Sequence, residues 1–187
     1  MKNIIVAVTG ASGAIYAQRL LEFLVSKDVK IHLIISSNAE TVIEEELFTA
    51  PKALAEIDKN KIVSYSPSDL AAAPASGSSR MDAMAIIPCS MGTMGAINAG
   101  LASNLIHRAA SVCLKEKRTL VLVPREMPVS TIHLKCMLEL AQLGVAIVPA
   151  MPAFYHHPKS VNDLVDFVVT RVLDQLGIES DLIPRWE

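Results

Sequence analysis

Short apolar segments alternate with amphipathic segments along the whole chain, and this alternation limits the possible fold more than any other feature. The apolar segments have the length of buried β-strands, and the segments between them carry apolar residues at helical spacing. Parallel strands joined by right-handed helical crossovers account for such a pattern. We therefore predict a single α/β domain over residues 1–187, with helices on both faces of a parallel sheet. The predicted strands are 3–9, 30–36, 62–65, 83–88, 120–123 and 145–148, and the predicted helices are 14–26, 38–47, 52–57, 103–117, 130–143 and 160–176.

Charge and composition exclude several classes of protein. The formal net charge of −2 argues against a broad surface for nucleic acid or anionic membrane, and a hydrophobic fraction of 51% argues against disorder. The uncharged stretch between Asp82 and Arg108 contains Pro88 and several Gly, Ser and Asn residues, so we expect no membrane span. Three cysteines without a CxxC pair indicate reduced thiols and a cytoplasmic protein.

In parallel α/β folds ligands bind at the carboxyl ends of the strands, so the turns there are the candidate site. The first turn, Gly10 to Gly13, is small and glycine-rich, and the helix after it offers free N–H groups to an anion such as a phosphate. The alternative is a tight connection without a ligand. The turn lacks a full GxGxxG pattern, the second strand ends at Ser36 rather than at an acidic residue, and no GxxxxGK[ST] occurs. FMN therefore fits better than NAD or ATP.

A second turn of the same kind follows the strand that ends at Pro88. Ser90 and Thr93 open a helix there and could donate to a phosphate or to a flavin edge. Cys89 is a possible nucleophile, but a cysteine at an apolar strand end is more often a packing residue. Glu126 is a candidate general acid or base, and with equal weight an ion-pair partner of Arg125.

Several basic side chains could neutralise a phosphate group, and one tyrosine hydroxyl could donate a hydrogen bond to it. The candidates are Lys115, Arg125, Arg171 and Tyr155. For Lys115 the alternative is a cation that stabilises a helix C-terminus, and for Arg171 it is an exposed helix face. No HExxH or DDxxD pattern occurs, and the adjacent His156 and His157 have the wrong spacing for one metal, so we expect a monophosphate substrate without a metal.

Five segments of the sequence resemble the flavin prenyltransferase family (UbiX-like). They are Thr9 to Ala14, the PASGSS loop of residues 74–79, Pro88 to Ser90, Val121 to Glu126 and the terminal Pro184 to Trp186. The resemblance covers essentially the whole chain and implies a Rossmann-like (flavodoxin-like) fold and a homo-oligomer, in that family typically a dodecamer. It also implies transfer of a dimethylallyl group from dimethylallyl monophosphate to reduced FMN. The product, prenylated FMN, would serve a UbiD-type decarboxylase.

The resemblance also assigns roles to individual residues. The implied FMN contacts are Gly10, Ala11, Ser12, Ser36, Ser90, Met91, Gly92, Thr93 and Arg125. The implied dimethylallyl phosphate contacts are Lys115, Arg125, Tyr155 and Arg171, with Ala75 and Ser76 of the PASGSS loop lining the prenyl pocket. The implied catalytic residues are Glu126, Glu46 and Ser12.

Two other functions stay open at this stage. An FMN-dependent cysteine decarboxylase has a similar fold, but that family has a PASANT-type loop and an early catalytic histidine, whereas no histidine lies between His32 and His107 here. A non-enzymatic flavin carrier is the second alternative, but such a protein would not need the four candidate phosphate ligands. The mean hydropathy of +0.39 with only 4% aromatic residues is more apolar than one small domain requires, and apolar interfaces between identical subunits would explain it.

Overall fold

The computed structural model describes residues 1–184, which form one α/β domain. Arg185 and Trp186 of the predicted terminal motif lie outside the described residues. The strands are β1 (Lys2–Val8), β2 (Val29–Ile35), β3 (Ile62–Tyr65), β4 (Ala83–Cys89), β5 (Thr119–Pro124) and β6 (Ala146–Ile147). The helices are α1 (Ala14–Leu24), α2 (Ser37–Leu47), α3 (Lys52–Glu56), α4 (Met91–Asn98), α5 (Leu105–Lys115), α6 (Thr131–Gln142) and α7 (Val161–Gln175). A short 3₁₀ helix covers Ala73–Ala75.

All six strands are parallel, and their order is β3-β2-β1-β4-β5-β6. This is the doubly wound Rossmann order, and removal of the short edge strand β3 leaves the flavodoxin order. The predicted three-layer parallel sheet is confirmed. The strands β2 and β3 are added on one side of β1 and the strands β4, β5 and β6 on the other, so the strand order reverses between β1 and β4. Folds of this kind bind ligands in the crevice at such a point.

Two apolar cores lie on opposite faces of the sheet, because successive strand residues point to opposite sides. Ile4 and Val6 of β1 pack with α1, α2 and α7, whereas Ile5 and Ala7 pack with α4, α5 and Leu140 of α6. The central strands are buried on both faces, which is why their sequences are continuously apolar. Among residues 1–184, none of the helices combines the length and apolarity that a membrane crossing requires.

The helix α6 differs from the others in how little of it is buried. Of its residues only Leu140 is buried, while Ile132 is 72% exposed, Leu134 54% and Leu138 59%. Leu143, directly after the helix, is 66% exposed. The surplus of apolar residues seen in the sequence therefore lies partly on one outer helix, and apolar surface of that extent is typical of an interaction site.

Candidate functional site

The crevice between β1 and β4 is held by the buried side chain of Thr9. Its hydroxyl donates to the carbonyl of Pro88 at 2.9 Å and accepts the N–H of Ser90 at 2.8 Å. These two bonds join the carboxyl ends of β1 and β4 at the point where the turns diverge. Thr9 was predicted only as the first residue of the glycine-turn motif, without a role of its own, although a threonine at the end of a strand and directly before a glycine turn was an available signal.

The loop from Gly10 to Gly13 lies close to the start of α2. A Cβ atom on Gly10 would lie 2.5 Å from the Cβ of Asn38, so only glycine fits without displacement of the backbone. Gly13 has a φ of 113°, which residues with side chains rarely adopt, and it is the N-cap residue directly before α1. The predicted glycine turn is therefore explained by one close approach and one unusual backbone conformation.

The N-terminus of α1 is occupied by a side chain of the protein itself. The carboxylate of Glu46, near the end of α2, accepts the N–H groups of Gly13 and Ala14, both at 2.8 Å. Burial raises the pKa of Glu46, but the Ser12 hydroxyl, the two backbone N–H groups and Arg125 lower it by more in sum, so the net pKa lies below its usual value. The prediction that these N–H groups are free for a phosphate is wrong, because Glu46 is already the anion at this helix end.

Two other helices begin at the same edge with serine caps. Ser36 accepts the N–H of Ala39 at 3.2 Å at the start of α2. Ser90 accepts the N–H of Thr93 at 3.2 Å and donates to its hydroxyl at 3.0 Å at the start of α4. The predicted Ser36, Ser90 and Thr93 are thus brought to the carboxyl edge of the sheet, with two positive helix ends to favour an anion.

Arg125 follows β5 and reaches across the crevice. Its Nε donates to the carbonyl of Ser12 at 3.2 Å, and its charge contributes to the lowered pKa of Glu46. Glu126 is exposed and accepts the N–H of Met127 at 3.1 Å. Arg125 and Glu126 do not form the ion pair that was the predicted alternative, because their side chains bind different partners.

Arg171 lies beside the edge strand β6, and Tyr155 packs against the helix α7 that carries Arg171. Arg171 donates from Nη1 to Asp174 at 2.6 Å, and with β6 it lines a groove of about 310 Å³. The ring of Tyr155 packs edge-on against Phe167, with centroids 5.9 Å apart. Phe167 is one helical turn before Arg171 in α7, so both predicted phosphate ligands are associated with the same face of that helix.

Lys115 is distant in space from the other three predicted phosphate ligands. It ends α5 directly before β5 begins at Thr119, whereas Arg125 follows the other end of that strand. The length of the six-residue strand separates them by about 20 Å. Since α5 and α7 pack on opposite faces of the sheet, Lys115 is also remote from Arg171. One chain therefore does not bring the four predicted phosphate ligands together.

The PASGSS loop accompanies Lys115 rather than the crevice. Arg118 donates to the carbonyls of Gly77 and Ser79 at 2.6 and 2.8 Å, and Lys115 forms an ion pair with Glu116 over Gly77. Ala75 is buried against α5, and Ser76 is exposed. A helix that ends just before a strand must end at the amino edge of the sheet, so the position of Lys115 could have been inferred from the element order.

Comparison with known proteins shows the family to which the chain belongs. A family profile described as Flavoprotein matches residues 1–173. The chain is 49% identical to the flavin prenyltransferase UbiX of Pseudomonas aeruginosa over 99% of its own length and 94% of that protein. The chain belongs to the flavin prenyltransferase family.

Two solved structures of UbiX or UbiX-like proteins match the whole fold. One is described as a dodecameric FMN-dependent UbiX-like decarboxylase from Escherichia coli O157:H7, with a TM-score of 0.95, 50% identity and 99% coverage of both chains. The other is AnUbiX in complex with FMN and dimethylallyl pyrophosphate, with a TM-score of 0.95 and 41% identity over 100% of this chain and 97% of that one.

The residues at the crevice of this flavin prenyltransferase family member fit FMN. A Cβ atom on Gly92 would meet nothing within 4 Å, so the start of α4 is open to a ligand. The hydroxyls of Ser36 and Thr93 can donate to phosphate or carbonyl oxygens, and Arg125 supplies a positive charge. Among residues 1–184 there is no group of three or more His, Cys, Asp or Glu side chains that could hold a metal ion.

Proposed function

We propose that this protein transfers a dimethylallyl group from dimethylallyl monophosphate to reduced FMN and passes the prenylated FMN to a UbiD-type decarboxylase. The observation that carries the proposal is the FMN-compatible crevice at the β1–β4 switch point, edged by Arg125, in a chain whose full-length relatives are named flavin prenyltransferases. We propose Gly10, Ala11, Ser12, Ser36, Ser90, Met91, Gly92, Thr93 and Arg125 as its FMN contacts.

The side chains of the protein would stabilise the charge of the departing phosphate. Lys115, Arg125 and Arg171 supply three positive charges, and the Tyr155 hydroxyl supplies a further donor, so no metal is required. A monophosphate suits this set better than a diphosphate, which proteins commonly hold through a metal ion. Reduced FMN supplies the ring nitrogen and the neighbouring ring carbon to which the dimethylallyl group becomes attached.

Three further residues would serve the proton transfer and the geometry of the loop. Glu126 is exposed next to Arg125 and is free of an ion pair with it, so it is our candidate to accept the ring proton, with the released phosphate as the alternative base. Glu46 accepts the N–H groups of Gly13 and Ala14 in the loop that follows Ser12, and we propose Glu46, as an acid or base, and Ser12 as the other catalytic residues.

The complete site requires more than one copy of the chain. Because Lys115 and the PASGSS loop lie at the amino edge of the sheet, we propose that they line the prenyl pocket of a neighbouring protomer, with Ala75 and Ser76 in contact with the prenyl group. The exposed apolar side chains of α6 support association of identical chains. We propose a dodecamer, the assembly named for the related Escherichia coli protein.

We also propose that the protein acts in the cytoplasm. The support is that Cys89, Cys113 and Cys136 are all free thiols, two of them buried, and none is placed in a disulfide.

The direct test is incubation with reduced FMN and dimethylallyl monophosphate, followed by mass determination of the flavin. Arg171→Ala and Tyr155→Phe should abolish product formation while FMN stays bound, and the exposed Lys59→Ala is the matched control. Full turnover in either site variant would show that the phosphate ligands are assigned wrongly. Dimethylallyl diphosphate in a parallel reaction tests the preference for the monophosphate, and an unmodified flavin in the wild-type reaction would support the carrier alternative.

A mixing experiment tests whether the site is shared between copies. Lys115→Ala and Arg171→Ala are each expected to be inactive, since each lacks a phosphate ligand. Unfolding and refolding the two together should restore activity, because some sites then take an intact Lys115 from one chain and an intact Arg171 from another. Absence of restored activity in well-formed mixed oligomers would contradict a shared site.

A further inference from the structure

Arg118, in the connection between α5 and β5, holds the PASGSS loop by its backbone. Its Nη2 donates to the carbonyl oxygens of Gly77 at 2.6 Å and Ser79 at 2.8 Å. The start of the loop is held separately, because Nε of Arg108 donates to the carbonyl of Ala75 at 3.0 Å. Hydrogen bonds from a charged donor are stronger than those between neutral groups. The second half of the loop is therefore attached to the rest of the fold through one guanidinium.

The remaining hydrogen bonds of this half of the loop are internal to it. The hydroxyls of Ser76 and Ser78 are 2.9 Å apart, and the hydroxyl of Ser79 donates to the carbonyl of Ser76 at 2.8 Å. The N–H of Ser79 donates to the same carbonyl at 3.3 Å. These bonds close the loop into a compact turn but do not fix where the turn lies. Its position relative to α5 thus depends on the contacts that Arg118 makes.

The position of the turn is coupled to Lys115. A Cβ atom on Gly77 would lie 2.6 Å from Nζ of Lys115 and 2.5 Å from Oε1 of Glu116, so the turn closes directly on the Lys115–Glu116 ion pair. The pKa of Glu116 is lowered by the hydrogen bond and the charge of Lys115 and, to a lesser extent, by the charge of Arg118. A shift of Gly77 would therefore change the surface beside the Lys115 ammonium, which we propose as a phosphate ligand.

Stability alone does not explain a guanidinium at this position. The Nη1 of Arg118 is buried and finds no hydrogen-bond partner among residues 1–184. A buried donor without a partner destabilises the fold. What the guanidinium provides in return is a fixed position for two carbonyl groups of the loop. A residue that is unfavourable in this way but fixes its neighbours is characteristic of a functional site.

We propose that Arg118 is a positioning residue, which holds the PASGSS loop against Lys115 and thereby limits the length of the prenyl group that the pocket accepts. This inference rests on the proposed function, in which Ala75 and Ser76 contact the prenyl group. A loop held at Gly77 and Ser79 cannot retreat from a longer chain, whereas a released loop can. Loss of Arg118 should therefore relax the choice of substrate more than it slows the chemical step.

The kinetic test is a competition between dimethylallyl monophosphate and the longer geranyl monophosphate on the full-length protein with reduced FMN. The two flavin products are separated by mass. Arg118→Met keeps the apolar stem without the donors and should lower the product ratio in favour of dimethylallyl about tenfold, within the range that contacts in an apolar pocket contribute. Arg118→Lys keeps a donor of shorter reach and should lie between Arg118→Met and the wild type. FMN content should be unchanged in both.

The matched control is Lys117→Asn. It removes the same charge from the exposed neighbour, whose φ of 54° asparagine tolerates, and it should keep the wild-type product ratio. An unchanged ratio in Arg118→Met, or an equal loss of selectivity in Lys117→Asn, would overturn the proposal.

A second measurement does not depend on activity. Hydrogen exchange of peptides covering 74–82 reports how firmly the loop is held. In Arg118→Met these amides should exchange about five- to tenfold faster, the factor that corresponds to the loss of about one hydrogen bond, while peptides from β1 and β4 keep their wild-type rates. Wild-type exchange of the loop in Arg118→Met refutes the positioning role even if the enzyme is active. Wild-type protein without prenylation would instead refute the proposed function.

Discussion

The carboxylate of Glu46 connects two distant parts of the chain, and its removal offers a quantitative test of the site. It accepts the N–H groups of Gly13 and Ala14 at the start of α1, which lie 33 and 32 residues earlier in the chain. Glu46→Ala removes the acceptor and the charge together, whereas Glu46→Gln removes the charge and keeps one oxygen acceptor. The pair of variants therefore separates hydrogen bonding from electrostatics at this helix end.

The expected loss of stability follows from the geometry. Loss of an acceptor for first-turn N–H groups costs about 0.5–2 kcal/mol, and loss of a negative charge at a helix N-terminus costs about 0.3–1 kcal/mol. We expect the free energy of unfolding to fall by about 2 kcal/mol in Glu46→Ala and by about 1 kcal/mol in Glu46→Gln. In a chain of this size, the larger loss lowers the melting temperature by about 4–8 °C.

The effect should depend on pH in a defined direction. The pKa of Glu46 is lower in the folded protein than its usual value, with burial opposed by the Ser12 hydroxyl, the two N–H groups and Arg125. A lowered folded-state pKa means that the stabilisation is complete above the unfolded-state pKa and is lost as the pH falls through the folded-state pKa. The difference between wild type and Glu46→Gln should therefore be constant near neutral pH and shrink in acid.

Urea denaturation at fixed protein concentration measures these differences, with Glu45→Ala as the matched control. Glu45 is the exposed neighbour on the same helix, and its loss should change the free energy of unfolding by less than about 0.5 kcal/mol. Fixed concentration is needed because association would contribute to the apparent stability. Equal losses in Glu46→Ala and Glu45→Ala, or a Glu46→Gln difference that grows in acid, would refute the reasoning.

Three further outcomes are expected. Gly10→Ala should destabilise the fold by about 1–3 kcal/mol and reduce FMN content, because its Cβ would overlap the start of α2, whereas Gly95→Ala, in open space, should be neutral or stabilising in thermal melts. Cys89 and Cys113, whose pKa burial raises to about 12 and about 11, should not react with a thiol reagent at pH 7 until the protein unfolds; rapid native modification at either would contradict their burial. Leu138→Lys on the exposed face of α6 should reduce the oligomer mass in light scattering while circular dichroism is unchanged, and an intact oligomer would place the interface elsewhere.

The strand and helix pattern could be predicted because each element carries its own period. The glycines after helices α6 and α7, Gly144 and Gly177, both have positive φ, as helix ends of this kind require. By contrast, the sequence predicted only that a helix begins near Ser90 and did not predict the length of α4. Its glycines, Gly92 and Gly95, weaken the helical signal, and the helix exists because the caps and the packing of Met94 and Ile97 outweigh propensity.

Some residues of the candidate site could be placed because of their position directly after a strand. Ser36 and Ser90 could be placed at the carboxyl edge because each directly follows a strand. The hydrogen-bond partners of Glu46 could not be predicted from the sequence, because the contact between α2 and the start of α1 depends on how the two helices cross. The separation of Lys115 from Arg125 follows from the strand direction and could have been inferred from the element order, but a resemblance of motifs alone does not show it.

The exposed face of α6 also has a consequence for how the native protein is obtained. If the proposed oligomer buries α6, a newly synthesised chain carries Ile132, Leu134 and Leu138 uncovered until it associates with another copy. Association is a bimolecular step whose rate rises with concentration, and non-specific aggregation through the same residues competes with it. The yield of active protein on refolding should therefore pass through a maximum as chain concentration is increased.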